Sequence, residues 1–595
     1  MEFDPRRRTD GFLSLERGMD SGKSPSAIQR NQYAFGCNVT ARGGFATCRP
    51  GYNRLMLSLS DGVDFKDNLF QRAGYYQPMV GAACLVALIG GHLYRFNVDA
   101  GNLVQDISIP GDYNANNLEM AWMTQAEDFL IVQDNQMKAL IYDGASTRRA
   151  KGDEVPVGNV ITYGMGRVWT AMQDGKSFVG GDLVYSSSGT GTYNRRDAVL
   201  KFTENTFLNE GGAFTVPNNS GRINAMRFIS NLDTSLGQGP LQVFTQSAAF
   251  SVNAPFDRTT WKDLQYPIQT ISLEVYGATG QDNTITINGD LWYRSFDGVR
   301  SFIVARRDFG TWGNVPMSSE MDRVLNFDDQ SLLRFGSAVV FDNRLLMTTS
   351  PMRVQGHGVA HRGLVVVDFD LISSMGQRSD PAWDGLWTGV RILQIVKGRF
   401  SSGERCFAFV LNADNEIELW EISKTDRFDN GTGRIQWFIE TPSYGFNTPY
   451  ELKRLSTGDL FVDRLAGQVD FDIKFKPNQH PAWIAWDTWN ECAKFEDCGD
   501  DTARCPVPRE YREQYRSKKR FVTPTDDCDP LTSTPYRNGY EFQSLITVTG
   551  YARIKQMRLH ADWQEESSVG ECKTGEAVCD GIATCDPDIF AYTSS

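Results

Sequence analysis

Seven cysteines crowd the end of the chain, Cys492, Cys498, Cys505, Cys528, Cys572, Cys579 and Cys585, and their thiols are the first groups whose chemistry has to be weighed. They stand among Asp, Gly and Pro in stretches that read as exposed loops, which makes them candidates for disulfides or a metal site. Their spacing is loose: five, six and twenty-two residues separate the first four, and six and five the last three, with no C-x2-C pair. Tetrahedral zinc sites usually draw on tighter ligand pairs, so disulfides or free thiols are expected ahead of metal. An odd count leaves at least one of them unpaired within the chain, or pairing with a neighbouring chain. Cys37, Cys48, Cys84 and Cys406 are scattered through the earlier chain and read as small buried hydrophobes.

Other chemistries find less support. The chain has five histidines, of which His357 and His361 lie four apart in the Gly-flanked run Gly356 to His361. Without a helix to aim both rings at one ion, this reads as a loop. Gly18 to Ser24, GMDSGKS, ends like a phosphate-binding loop, but three residues stand between its glycines where that loop has four, and no apolar strand precedes it. Trp292, Trp383 and Trp387 stand beside Asp and Gly. Such aromatics can form glycan platforms, but packing between sheets is the expectation. No catalytic residue, metal or cofactor can be named.

These groups must be carried by β structure. Asn288 to Asp308 reads as two short strands, Leu291 to Arg294 and Phe302 to Ala305, hinged on Asp297-Gly298. The same grammar recurs at Leu85 to Phe96, Phe129 to Tyr142, Val168 to Tyr185, Leu241 to Val252, Val339 to Phe369 and Phe407 to Ile422. A hairpin cannot bury its own apolar face, so repeated hairpins must stack. A spacing of roughly forty to sixty residues suits four-stranded propeller blades. The fold class expected is mainly β: a β-propeller-like central domain of six or seven blades with an added C-terminal β domain rich in Cys loops. A long β-sandwich or two smaller β domains is the alternative. Three parts are expected: an N-terminal arm and opening hairpin over 1–70, the propeller-like domain over 71–440, and the C-terminal β domain over 441–595. In the last, Gly467 to Phe475 alternates apolar and charged residues as a half-buried strand does.

The 595 residues carry a net charge of −13 with a pI near 5.1, so no global basic field draws the chain to nucleic acid. Arg6, Arg7 and Arg8 form a small cluster that reads as a solvated terminal arm. The opening MEFDPRRRTDGF lacks the apolar core of a signal peptide, Asn38-Val39-Thr40 is therefore an idle glycosylation match, and no apolar window is long enough to span a bilayer.

Three passages together resemble a family of bacteriophage virion proteins, the β-propeller tail nozzle and packaged-DNA stabilisation proteins of short-tailed phages. The first is the opening run, with Ser24-Pro25 through Asn31, Cys37-Asn38-Val39, Gly43-Gly44 and Arg49-Pro50-Gly51; the second is the propeller-like middle. The third is the closing run, with Tyr540-Glu541-Phe542-Gln543, Gly550, Arg553-Ile554 and the following Cys572. The resemblance implies a non-enzymatic structural protein of the virion tail, made in the host bacterial cytoplasm. It implies a ring with copies of itself, commonly six, below the portal and adaptor, with other tail proteins and tail fibres as neighbours. Such a ring holds the packaged genome, then guides its ejection. A negative wall would pass DNA without sequence specificity and without sticking to it. The competing reading is a host-surface glycan-binding tail or baseplate module using Trp292, Trp383 or Trp387. The Cys-rich tail departs from the family's pattern and suggests disulfides that form after release from the reducing cytosol.

Overall fold

The computed structural model describes residues 7–60, 62–66, 68–116, 120–152, 154–184, 198–201, 213–229, 239–252, 268–270, 276–308, 316–371, 382–492, 517–525, 528–529 and 534–564. Among these, seven antiparallel units follow one another along the chain. Their first strands are Phe70–Tyr76, Trp122–Ala126, Gly158–Gly164, Ile223–Phe228, Thr284–Ile287, Ala338–Phe341 and Arg391–Phe400. Each first strand lies against the first strand of the next unit, and Arg391–Phe400 returns to Phe70–Tyr76, so the inner strands close a ring.

The side chains explain the closure. In the strand Cys84–Ile89 every residue is buried. Leu85, Ala87 and Ile89 face a core shared with Phe407, Phe409 and Leu419 of the seventh unit, while Cys84, Val86 and Leu88 face one shared with Leu130 and Val132 of the second. The period of two that puts alternate side chains on opposite faces therefore feeds two cores at once, and a sheet apolar on both faces needs a neighbour on each side. Separate apolar cores likewise lie between the second and third units around Ile131 and Ile161, the third and fourth around Trp169 and Met226, the fourth and fifth around Phe244 and Tyr293, and the sixth and seventh around Leu364 and Ala408. This radial arrangement is a β-propeller.

Buried glutamines bracket adjacent units through the backbone. Gln394 accepts from the amide of Ala73 at 2.7 Å and donates to the carbonyl of Ala73 at 2.9 Å, joining the seventh unit to the first. Gln281 accepts from the Met226 amide at 2.8 Å and donates to the Met226 carbonyl at 3.1 Å. A primary amide carries both donors and an acceptor, so one side chain satisfies both groups of a neighbouring peptide.

The seventh unit is completed from the other end of the chain: its fourth strand is Tyr52–Arg54, paired antiparallel with Ile417–Ile422. Ser58–Leu59 then pairs with Leu103–Asp106 at the edge of the first unit. The opening residues also hold the C-terminal sheet. Arg7–Phe12 pairs antiparallel with the long strand Phe542–Trp563, and Phe35–Cys37 lies between Gln436–Glu440 and Ala382–Trp387 of the sixth unit. One hydrogen-bonded sheet thus runs from the C-terminal strands through the opening segment into the sixth and seventh units. Its spine is Lys453–Pro477 paired with Phe542–Trp563.

Several expectations change. The described residues of 1–70 are not a separate arm, because their strands complete other sheets; Arg7 and Arg8 belong to a strand, and Arg6 lies outside the described residues. The boundary at 440/441 moves back, since Gln436–Glu440 pairs with Phe542–Trp563. The hairpin on Asp297-Gly298 forms from Asp290–Ser295 and Gly298–Ser301, but Phe302–Asp308 is a helix and not the continuing strand. Asp290 causes the change: it accepts from the Ile303 amide at 3.0 Å and from the Ser301 hydroxyl, whose oxygen accepts from the Val304 amide at 3.1 Å. These bonds satisfy the free amides of a first helical turn.

Candidate functional site: the central channel and the opening clasp

The inner strands enclose a central cavity of about 490 Å3, lined by Arg72, Gln125, Arg227, Asp282, Gln394 and Lys397 among others. Arg72 forms an ion pair with Asp282, Gln394 donates to the same carboxylate at 3.2 Å, and Arg227 stands 3.9 Å from it. Burial pulls the guanidiniums of Arg72 and Arg227 down from their ordinary range, and at Arg72 the charge of Arg227 adds to the effect. The arrangement plugs the ring. Side chains from the first, fourth, fifth and seventh units meet there at one carboxylate.

A second cavity of about 380 Å3 is lined by Trp122, Asn135, Asn159, Arg222, Asn224 and Arg334 among others. Beside it, Asp134 accepts from the amides of Gln136 and Met137, each at 2.8 Å, and from Asn114 at 2.7 Å, so its carboxylate shapes the turn.

The opening motif is spent on a buried clasp. Arg49 is fully buried; its guanidinium meets Asp429 at 2.9 and 3.0 Å. It also donates to the Asn38 side chain at 3.1 Å, to the Thr388 carbonyl at 3.1 Å and to the Pro50 carbonyl at 2.9 Å, and it lies 3.6 Å from the centre of the Tyr52 ring. Gly51 is required for space, since a Cβ there would stand 2.0 Å from the Phe428 carbonyl oxygen. Asn38 is buried in the same network, which leaves no room for a glycan on the Asn38-Val39-Thr40 sequence.

Next to the clasp two buried carboxylates stand against two cations: Arg344 Nε is 3.1 Å from Asp368 and 3.5 Å from Asp384, and Arg42 donates to Asp368 at 2.8 and 3.0 Å. Asp384 accepts from the Ala41 amide at 3.0 Å and from the Thr40 hydroxyl at 2.8 Å. Burial, with the charge of Asp368 second, pushes Asp384 up to about 6 against the opposing pull of Arg344. The folded chain holds this proton more tightly than the unfolded chain. The stabilising contribution is thus fully present below about pH 3.9 and lost as the pH rises through about 6. Asp384→Asn is therefore expected to gain about 2–3 kcal/mol relative to the wild type between about pH 4 and pH 7. Urea unfolding across that range measures it; parallel pH profiles for the two proteins would contradict the assignment.

Trp292, Trp383 and Trp387 are buried at 8%, 1% and 1% exposure, and the indoles of Trp383 and Trp387 donate to the Met317 and Val39 carbonyls. They are wedges, and a glycan cannot stack on them, which removes the residues chosen for the glycan reading. His361 lies in the strand Gly358–Asp368 rather than a loop, its ring facing the Ile392 carbonyl at 3.2 Å, while His357 sits in the turn before it. Among the described residues no group of three His, Cys, Asp or Glu is placed to hold a metal. Gly18 to Ser24 makes no phosphate cradle: Met19 donates to the Trp383 carbonyl at 2.7 Å and Lys23 pairs with Asp20 at 2.6 Å.

Cys37, Cys48, Cys84 and Cys406 are buried and free. Burial pushes the thiols of Cys37 and Cys84 up to about 11 and that of Cys48 to about 12, which makes them unreactive. Cys528 is disulfide-bonded. Cys498, Cys505, Cys572, Cys579, Cys585 and the side chain of Cys492 lie outside the described residues. Arg72 and Arg227 carry no signal in the sequence, because a charged residue in an inner strand looks like the polar half of an ordinary alternating strand, and Asp282 lies in the turn before the strand Thr284–Ile287, where an Asp is ordinary.

No protein-family model matches the chain, and no curated protein does. Solved structures of low identity are similar to it. The CNH domain of AfRom2 aligns with a TM-score of 0.35 and 10% identity over 63% of this chain and 100% of that one. YCF48 bound to D1 peptide aligns at 0.31 and 10%, over 63% and 96%, and BamB from Moraxella catarrhalis at 0.29 and 12%, over 65% and 96%. The assignment itself stands on the ring of inner strands and the cores between units: the chain is a β-propeller closed by its own opening segment.

Proposed function

We propose that the protein is a structural, non-catalytic subunit of a bacteriophage tail, one copy of a nozzle ring below the portal and adaptor. The ring retains the packaged genome and then guides it out. The observation that carries this reading is the continuous sheet joining the C-terminal strands, the opening segment and the sixth and seventh units. It ties a closed disc to a long two-stranded spine without a flexible linker, which suits a subunit that bears load in a wall. The opening motif that resembles the nozzle family is the part spent on that joint. Since the channel of each propeller is plugged, the genome would pass through a lumen formed between copies. The net charge of −13 on each copy keeps most of such a lumen from sticking to the DNA that passes it.

Light scattering on the chromatographed protein, alone and with portal and adaptor, tests the reading. A closed ring of fixed copy number is expected, six in the resembled family. A protein that stays monomeric in both conditions, together with virions that lack it and keep their DNA, would overturn it.

A further inference from the structure

The C-terminal sheet gathers basic residues that are far apart in sequence. Its strands Ser517–Val522, Lys453–Pro477, Phe542–Trp563 and Arg7–Phe12 lie side by side in that order. Leu455, Leu460, Met557, Leu559 and Phe521 turn one face into the core. The registers place the alternate residues on the opposite face: Arg520 and Arg558 both stand opposite Asp459, Lys518 opposite Phe461, and Arg7 and Arg454 opposite Asp562. Arg7, Arg454, Lys518, Arg520 and Arg558 are all exposed. Five cations thus face solvent against two carboxylates, in a chain whose net charge is −13.

The face is preorganised. Asp459 is buried and receives Arg520 at 2.8 Å, Lys518 at 3.1 Å and His560 at 3.1 Å. Burial would raise this carboxyl, but those hydrogen bonds hold it far below the ordinary range, so it stays ionised and keeps the cations in place. Arg7 donates to Thr457 at 3.3 Å across the sheet. Phe461 lies between Lys518 and Arg558, whose charged groups are 5.3 and 6.0 Å from its ring centre. Arg454 and Arg558 form no ion pair among the described residues.

We propose that this outer face is a sequence-independent contact for the phosphate backbone of duplex DNA. Four of its five cations are arginines, whose planar guanidinium matches phosphate oxygens in pairs. They extend as a band across four strands instead of converging on one pocket, as contact with a linear polyanion requires. The registers present no base-reading element, so backbone contact is the mode they support. The proposal rests on the nozzle reading for its biological setting, where the face would turn toward the lumen and guide the duplex weakly. The physical contact does not depend on ring formation.

The test is fluorescence anisotropy of labelled duplexes of two unrelated sequences, titrated with the full chain across a salt series. Wild type is expected to bind both equally, with log K against log salt falling at a slope of roughly −3, as about three neutralised phosphates would give. The variant Arg7→Gln/Arg454→Gln/Arg558→Gln leaves the Asp459 cluster intact. It is expected to lose at least about tenfold in affinity and most of the slope, while a control, Lys66→Gln/Lys138→Gln on the propeller, changes neither. Thermal melts establish that both variants fold. Absence of binding by wild type, or a triple variant that binds like the control, would overturn the proposal. So would a triple variant whose only defect is lost self-association, which would make the face a contact with the acidic surface of a second copy. Wild type that binds DNA yet stays monomeric would sink the nozzle reading and leave this contact standing.

Discussion

Replacing Arg49 with methionine is expected to cost about 3–5 kcal/mol of folding stability, the loss seen when one partner of a buried charged network is removed. Methionine preserves most of the apolar stem but none of the five donors. Asp429 would lose both guanidinium contacts, and the Thr388 and Pro50 carbonyls would each lose a donor. The effect should be non-additive. Asp429→Asn alone also breaks the pair, so the double variant should be less destabilised than the two single effects summed, by about 1–3 kcal/mol. Urea unfolding of the four proteins measures this. An Arg49→Met variant within about 0.5 kcal/mol of wild type, the range of an ordinary surface change, would mean that the clasp does not hold the opening segment.

Deleting residues 1–60 is expected to have a larger effect: loss of the cooperative fold. The deletion takes the fourth strand from the seventh unit, an edge strand from the first, and the strand that links Gln436–Glu440 to the sixth unit. It also exposes the apolar groups that Phe12, Tyr33, Phe35 and Val39 cover in the largest core. A ring of sheets has no free end until its closing strand is removed, and the newly bare edge of Ile417–Ile422 becomes a site for pairing with another chain. Circular dichroism and limited proteolysis of 61–595 should report partial structure and aggregation, and a peptide of residues 7–60 added in trans should restore a single transition. A truncated chain that unfolds in one step at the same urea concentration as the full chain would contradict this role.

The units of the ring were legible wherever both faces of a strand are apolar or a tight turn is marked. Leu85 to Phe96, with Gly90-Gly91 between the strands, shows its hairpin in the residues themselves. Phe302–Asp308 is ambiguous in the sequence because its run suits either period and the deciding group, Asp290, lies outside it. The opening segment is hard to read for a different reason. Its polar strands have little apolar periodicity of their own, and their partners lie hundreds of residues away, as with Arg7 and Asp562. The same distance hid the basic face, since Arg454, Lys518 and Arg558 become neighbours only through sheet register. The tryptophans could be read either way until burial decided: an aromatic beside Asp marks a wedge or a sugar platform according to whether its ring is covered.

The most direct test of the central claim, that this propeller is a wall segment and not a pore in itself, is a cryo-EM map of the assembled protein with duplex DNA. A symmetric ring is expected, in which density for the duplex runs through the lumen between copies, with each propeller channel closed around Arg72 and Asp282. Isolated monomers, or nucleic acid threaded through the centre of a single propeller, would contradict it.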